Sequence, residues 1–142
     1  MISPIVDYKI TSPYGKRILK GKEQFHDGID FISKSDDRTV RVITEGTILM
    51  DIDYYEESKR WTDARHSAGN YLIIQHVIDD KKYFCRYFHL GENFVSKGDK
   101  VAEGQAIGIY ADAGISYGAH LHFDMYDSAW KKIDPTFLID KF

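Results

Sequence analysis

Six histidines stand at positions 26, 66, 76, 89, 120 and 122 of the chain, and four of them lie in patterns suited to metal and proton chemistry. In His120-Leu121-His122-Phe123, strand alternation sends both imidazoles to one face and Leu121 and Phe123 to the other, toward a core. Two imidazoles about 6.6 Å apart along a strand can serve one metal site, one as ligand and the other reaching a bound water. The same H-x-H also occurs by chance on surface strands. His26-Asp27-Gly28-Ile29-Asp30 is the second pattern. Two ligands of one zinc ion must lie within roughly 4 Å of each other, whereas a straight strand would hold residues 26 and 30 about 13 Å apart. The chain must bend for both to ligate, and Gly28 permits a bend. That places His26 at the end of a loop and Asp30 at the start of a strand. The same five residues would also make a turn with incidental charge. The third pattern is Tyr87-Phe88-His89-Leu90. Alternation puts Cys85, Tyr87 and His89 on one face and Phe84, Phe88 and Leu90 on the other. His89 is then either an ordinary half-exposed residue or a base at a cleft edge.

The elements that must position these groups read as strands. Residues 5–11 end in the turn signal Ser12-Pro13-Tyr14-Gly15, and residues 16–24, KRILKGKEQ, read as a basic loop leading to the first His. Residues 39–53 read as two strands meeting near Gly46, and 71–78 with 81–90 as a hairpin around Asp79-Asp80. Residues 97–110 carry two more Gly-marked turns, and 120–126 form a further strand. One short helical turn is expected at 90–96 or in the C-terminal PTFLI. Many short strands with regular turns predict an all-β domain: an antiparallel sheet, barrel-sandwich-like, with an open groove holding the metal. The chain reads as one domain over 1–142. A charged insertion at about 51–69 interrupts the strand rhythm, and Tyr54, Tyr55 and Trp61 in it suit the wall of a cleft.

Composition narrows the classes. A 43% hydrophobic content supplies a core, and 14% aromatic residues favour strands over a helical bundle. The net charge of −3, with no basic block, argues against nucleic acid. The single cysteine, Cys85, excludes an internal disulfide and a cysteine zinc cluster; it reads as packing. No apolar run is long enough for a membrane helix, and the N-terminus lacks a signal-peptide pattern. His76 reads as structural, His66 as solvated, and Arg17 as either surface charge or a cleft residue.

The order H-x-G-x-D, then G-N-Y-L-I-I-Q-H, then Y-F-H-L, then a Gly-turn segment, then G-A-H-L-H-F resembles the lysostaphin-type (LytM-type) zinc endopeptidases of bacterial cell wall. The resemblance also takes in Ser12-Pro13-Tyr14-Gly15-Lys16-Arg17 and Asp134-Pro135, and so runs over about residues 10–138. It implies His26, Asp30 and His122 as ligands of one Zn2+, and His89 and His120 as catalytic histidines that do not bind the metal. Ala119, where the family often has Pro, and Asp124, where it often has Glu, depart from the pattern. The implied activity is hydrolysis of a peptide bond in the stem or cross-bridge of peptidoglycan, in the cell wall or periplasm. The implied protein is a monomer, free or in a phage assembly, delivered by a phage tail, a holin or a removed leader. Two alternatives stand beside this reading: a catalytically silent wall-binding or regulatory member of the same fold, and a lipoyl- or biotinyl-like carrier, whose hairpin SKGDKVAEGQAIGIY resembles. The carrier reading leaves H-x-H unexplained.

Overall fold

The computed structural model describes residues 1–53, 68–112 and 118–142. Twelve strands lie among them: β1 (Tyr8–Ser12), β2 (Gly15–Leu19), β3 (Lys22–His26), β4 (Ile29–Ser33), β5 (Thr39–Arg41), β6 (Gly46–Ile52), β7 (Asn70–Ile78), β8 (Lys81–Asn93), β9 (Lys100–Val101), β10 (Ala106–Tyr110), β11 (Leu121–Tyr126) and β12 (Lys132–Ile133). A 3-10 helix over Pro135–Lys141 follows, capped by the Asp134 carboxylate on the Thr136 N–H. The all-β expectation and the short C-terminal helical turn are both met.

Ten strands form one antiparallel sheet in the order β1-β4-β11-β8-β7-β6-β9, with β12 on β11 and β10 joining β8 to β5. One face is the core. Ile29 and Phe31 of β4, Leu121, Phe123 and Met125 of β11, Cys85 and Tyr87 of β8, and Leu72 and Ile74 of β7 are all 2% exposed or less. Each is a period-two position, and full burial of such a side chain contributes about 1.5–3 kcal/mol. Tyr87 meets Phe123 edge to face at 5.1 Å in the middle of this layer. Its hydroxyl accepts from the Ile43 N–H and donates to His76 Nε2, whose Nδ1–H donates to Glu45 O. His76 is thus a satisfied core histidine. Cys85 is fully buried, and burial pushes its thiol well above the usual range.

The β7–β8 hairpin turns on Asp79 and Asp80, both at positive φ (50° and 63°), the conformation of a two-residue turn that matches strand twist. Residues 16–24 are not a loop. They form a second hairpin, β2–β3, in register from Gly15↔His26 to Leu19↔Lys22, turning on Lys20 (φ 51°) and Gly21 (φ 75°). Its burial pattern is exposed or intermediate until His26, so it lacks the buried apolar face by which strands are read from sequence. Residues 90–93 belong to β8 and make no helical turn. The carrier-like segment forms β9 on β6 and β10 between β8 and β5. The aromatics of the insertion, Tyr54, Tyr55 and Trp61, lie outside the described residues. No helix among the described residues is long and apolar enough to cross a membrane.

Candidate metal centre and groove

β4, β11 and β8 lie side by side, and their register assembles the centre. His122 on β11 pairs with Asp30 on β4 and, on its other flank, with Phe88 on β8. Cross-strand partners share a face, so two residues far apart in sequence meet: His122 Nδ1 lies 2.9 Å from Asp30 Oδ1. His26 ends β3, and the Asp27-Gly28 turn carries the chain into β4. His26 Nε2 is then 3.3 Å from Asp30 Oδ1 and 3.2 Å from His122 Nδ1. Gly28 contributes space rather than a left-handed bend. A Cβ there would sit 2.6 Å from His122 Cε1 and 2.6 Å from Phe123 O.

The outer nitrogens fix the tautomers. His26 Nδ1 lies 2.9 Å from the Pro13 carbonyl, so Nδ1 carries the proton and Nε2 presents a lone pair. Ser12 Oγ is 3.3 Å from the same nitrogen. His122 Nε2 lies 3.1 Å from Asp124 Oδ2, so in the neutral ring Nδ1 presents the lone pair. Phe88 stacks on the His122 ring at 5.5 Å. Asp124 was legible only as a sequence departure; in the structure it is fully buried and central. It accepts from Arg86 Nε at 2.6 Å and Nη2 at 2.7 Å and from Lys132 Nζ at 3.1 Å. Continued alternation from His120 and His122 would have placed it on this face. Arg86 lies over Phe88 and Tyr126, and Lys132 also reaches Asp27 at 3.0 Å.

The electrostatics follow. Burial alone would raise the Asp30 carboxyl, but in the metal-free chain protons on His122 Nδ1 and His26 Nε2 face it, and these hydrogen bonds hold Asp30 well below the usual range. Burial likewise opposes ionisation of Asp124, and Arg86 and His122 reverse it. For His122 burial disfavours the cation, yet the carboxylates of Asp124 and Asp30 on its two sides raise it to about 9. Arg17 lies in the cleft: Nη1 donates to Ser12 Oγ at 2.9 Å and stands 3.7 Å from Asp30 Oδ2.

His120, just before β11, bridges to Ala111. Its Nδ1–H donates to Gly118 O at 2.9 Å, which turns Nε2 toward the centre, 3.7 Å from Asp30 Oδ1. His89 departs from the expected alternation. β8 carries an extra residue between Tyr87, opposite Leu72, and Leu90, opposite Asn70, and His89 takes φ 65°. This bulge sends Leu90 into the core and brings His89 to 4.7 Å from the His120 ring and 6.2 Å from the His122 ring. A bulge bends its strand locally and re-aims the side chains at and beyond the extra residue. All five sequence-selected residues therefore meet at one place. They line a groove of about 860 Å³ whose other wall includes Arg17, Leu19 and Phe25 of the β2–β3 hairpin.

His26, Asp30 and His122 suit a metal ion, and so by proximity do Asp27, His122 and Asp124. Lys132 Nζ already serves that second group, 3.0 Å from Asp27 and 3.1 Å from Asp124. In the first group the three potential ligand atoms converge with edges of 2.9, 3.2 and 3.3 Å. Ligands at zinc bond lengths in a tetrahedron are about 3.3 Å apart, so the donor set fits such an ion.

Comparison with known proteins places this architecture. Over 58 residues, 41% of this chain, it is 45% identical to the peptidoglycan DD-endopeptidase ShyA of Vibrio cholerae and spans 13% of that protein's length. A zinc-containing peptidase from Vibrio cholerae superposes with TM-score 0.71 at 29% identity, over 93% of this chain and 37% of that one. The catalytic domain of lysostaphin from Staphylococcus simulans superposes with TM-score 0.71 at 27% identity, over 94% of this chain and 92% of that one. The sequence profile of Peptidase family M23 matches residues 24–135, which carry the triad and both further histidines, and the chain belongs to that family.

Proposed function

We propose that this chain is a zinc-dependent endopeptidase that hydrolyses peptide bonds in peptidoglycan. The observation that carries the reading is the convergence of His26 Nε2, Asp30 Oδ1 and His122 Nδ1 at 2.9–3.3 Å, with the outer nitrogen of each ring already engaged by Pro13 or Asp124. Such a set repels itself unless a cation or a proton lies between its members. A zinc ion held there supplies Lewis acidity, making water a usable nucleophile near neutral pH and polarising a carbonyl.

The remaining steps belong to the protein's own groups. His120, with Nδ1 protonated against Gly118 O, offers Nε2 as a base beside the triad. It takes the proton of the attacking water, and the His89–His120 pair returns it to the departing amine. As an imidazolium, either ring also faces the oxygen on which negative charge develops. Asp30 contributes the one negative charge among the three ligands. Arg17 and Ser12 hold the far sides of Asp30 and His26, so the donor set is pre-shaped before substrate arrives. The open groove admits an extended peptide, with the β2–β3 hairpin as one wall.

Purified sacculi from Gram-positive and Gram-negative cells, with and without chelator and against His122→Ala, test the reading. Clearing that needs both metal and His122 is expected. One zinc bound per chain with no clearing of any wall type would overturn it and favour a silent family member.

A further inference from the structure

Trp130 is exposed in an unusual way. It sits at φ 60°, a left-handed conformation that costs a bulky residue energy and suits glycine. The turn around it is closed by Asp127: its carboxylate accepts from the Ala129 and Lys131 N–H groups, and its carbonyl from the Trp130 N–H. The indole lies flat on Phe84, centroids 3.8 Å apart and planes within 4°. Phe84 beneath is 7% exposed and Trp130 above is 50% exposed, so one face of the indole is covered and the other meets solvent. Tyr126 flanks it at 5.7 Å, and Lys132 Nζ sits 4.7 Å over the Tyr126 ring.

This ring belongs to the face of the sheet that bears the metal centre. The uninterrupted β11–β8 register runs His122↔Phe88, Asp124↔Arg86, Tyr126↔Phe84. Four residues of strand separate Tyr126 from His122, roughly 13 Å. Lys132 joins the two ends, touching Tyr126 at one and Asp27 of the groove at the other. Among the described residues Trp130 is the exposed ring of this cluster, with Lys132 beside the neighbouring Tyr126. A protein partner needs on the order of 800 Å² with an apolar middle; a single pyranose, apolar on its C–H face and polar at its rim, needs one aromatic plane.

We propose that Trp130, backed by Phe84 and flanked by Tyr126, stacks against one sugar ring of the glycan to which the scissile peptide is attached. The proposal rests on the peptidoglycan reading. An extended peptide advances about 3.3–3.6 Å per residue, so the roughly 13 Å of strand between His122 and Tyr126 corresponds to about four residues between the scissile bond and the sugar.

Two measurements test it. The first compares kcat and KM on a cross-linked wall peptide with its disaccharide attached and on the same peptide with the sugar removed. The wild type is expected to prefer the glycosylated form about tenfold, through KM. Trp130→Gly, which suits the backbone at φ 60°, brings that ratio to about one. A ratio unchanged in the variant overturns the proposal. The second follows the Trp130 indole N–H resonance during titration with a β-1,4-linked N-acetylglucosamine trimer, where a saturable shift supports the platform and none overturns it. If the wild type cleaves neither peptide, the peptidase reading fails instead, and the titration decides the platform by itself.

Discussion

Replacing Asp124 by Asn isolates what a buried carboxylate contributes to the metal centre. Asp124 receives four donors: Arg86 Nε and Nη2, His122 Nε2 and Lys132 Nζ. An Asn side chain offers one acceptor oxygen and a donor amide. If its oxygen stays with Arg86, its NH2 faces the His122 Nε2–H, donor against donor. The His122 ring then shifts its proton to Nδ1, the atom the metal would need. Loss of such an outer partner of a ligating histidine lowers metal affinity by roughly 10–100-fold, or about 1.4–2.8 kcal/mol. The assay is zinc competition with a chromogenic chelator at fixed pH, paired with 15N chemical shifts of the His122 ring, which distinguish the two tautomers. Leaving Arg86 and Lys132 short of a partner also lowers the stability of the metal-free chain, so affinity is measured where the variant retains a dispersed amide spectrum. A folded variant with wild-type zinc affinity and an unchanged His122 tautomer would refute the reasoning.

Three further outcomes are expected. His76 is lowered to about 4 by burial, against hydrogen bonds to the Glu45 and Thr44 backbone that favour its charge. Because its folded value lies below its unfolded value, its contribution is complete above about pH 6.5 and is lost as pH falls toward 4; urea titrations should show up to about 3 kcal/mol lost over that window, and less in His76→Gln. Gly28→Ala puts a methyl against His122 Cε1 and the Phe123 carbonyl; melting with and without zinc should show about 1–3 kcal/mol of destabilisation and weaker zinc binding. Cys85, buried and with its thiol pushed up, should resist a thiol reagent in buffer and react at once in denaturant; rapid native labelling would contradict its place in the core.

The parts of this site legible in the sequence were those in which local spacing and strand alternation agree. His120, His122 and the core residues between them follow period two, and the bend between His26 and Asp30 followed from ligand distances. Three parts were not legible. In the β2–β3 hairpin only His26 is buried, so nothing in its apolar pattern separates it from a loop. The bulge at His89 requires a positive φ in a residue other than glycine, which has no local sequence signature and arises from β8 pairing with β11, β7 and β10 at once. Asp124 lay on the continued alternation from His122, but its importance depends on Arg86 and Lys132, each on a different strand.

Among the described residues the small hairpin β2–β3 forms a two-stranded sheet of its own, and His26 is its last residue. An ion shared by His26, Asp30 and His122 would therefore fasten that hairpin to the body of the sheet and tie positions 92 residues apart in the chain. In polymer terms it is a reversible cross-link, closing one very short loop and one that spans most of the sequence, and long loops lose the most freedom on closure. Stripping the ion would act first on the groove wall and only afterwards on the core, so proteolysis of the metal-free chain should begin at Lys20-Gly21.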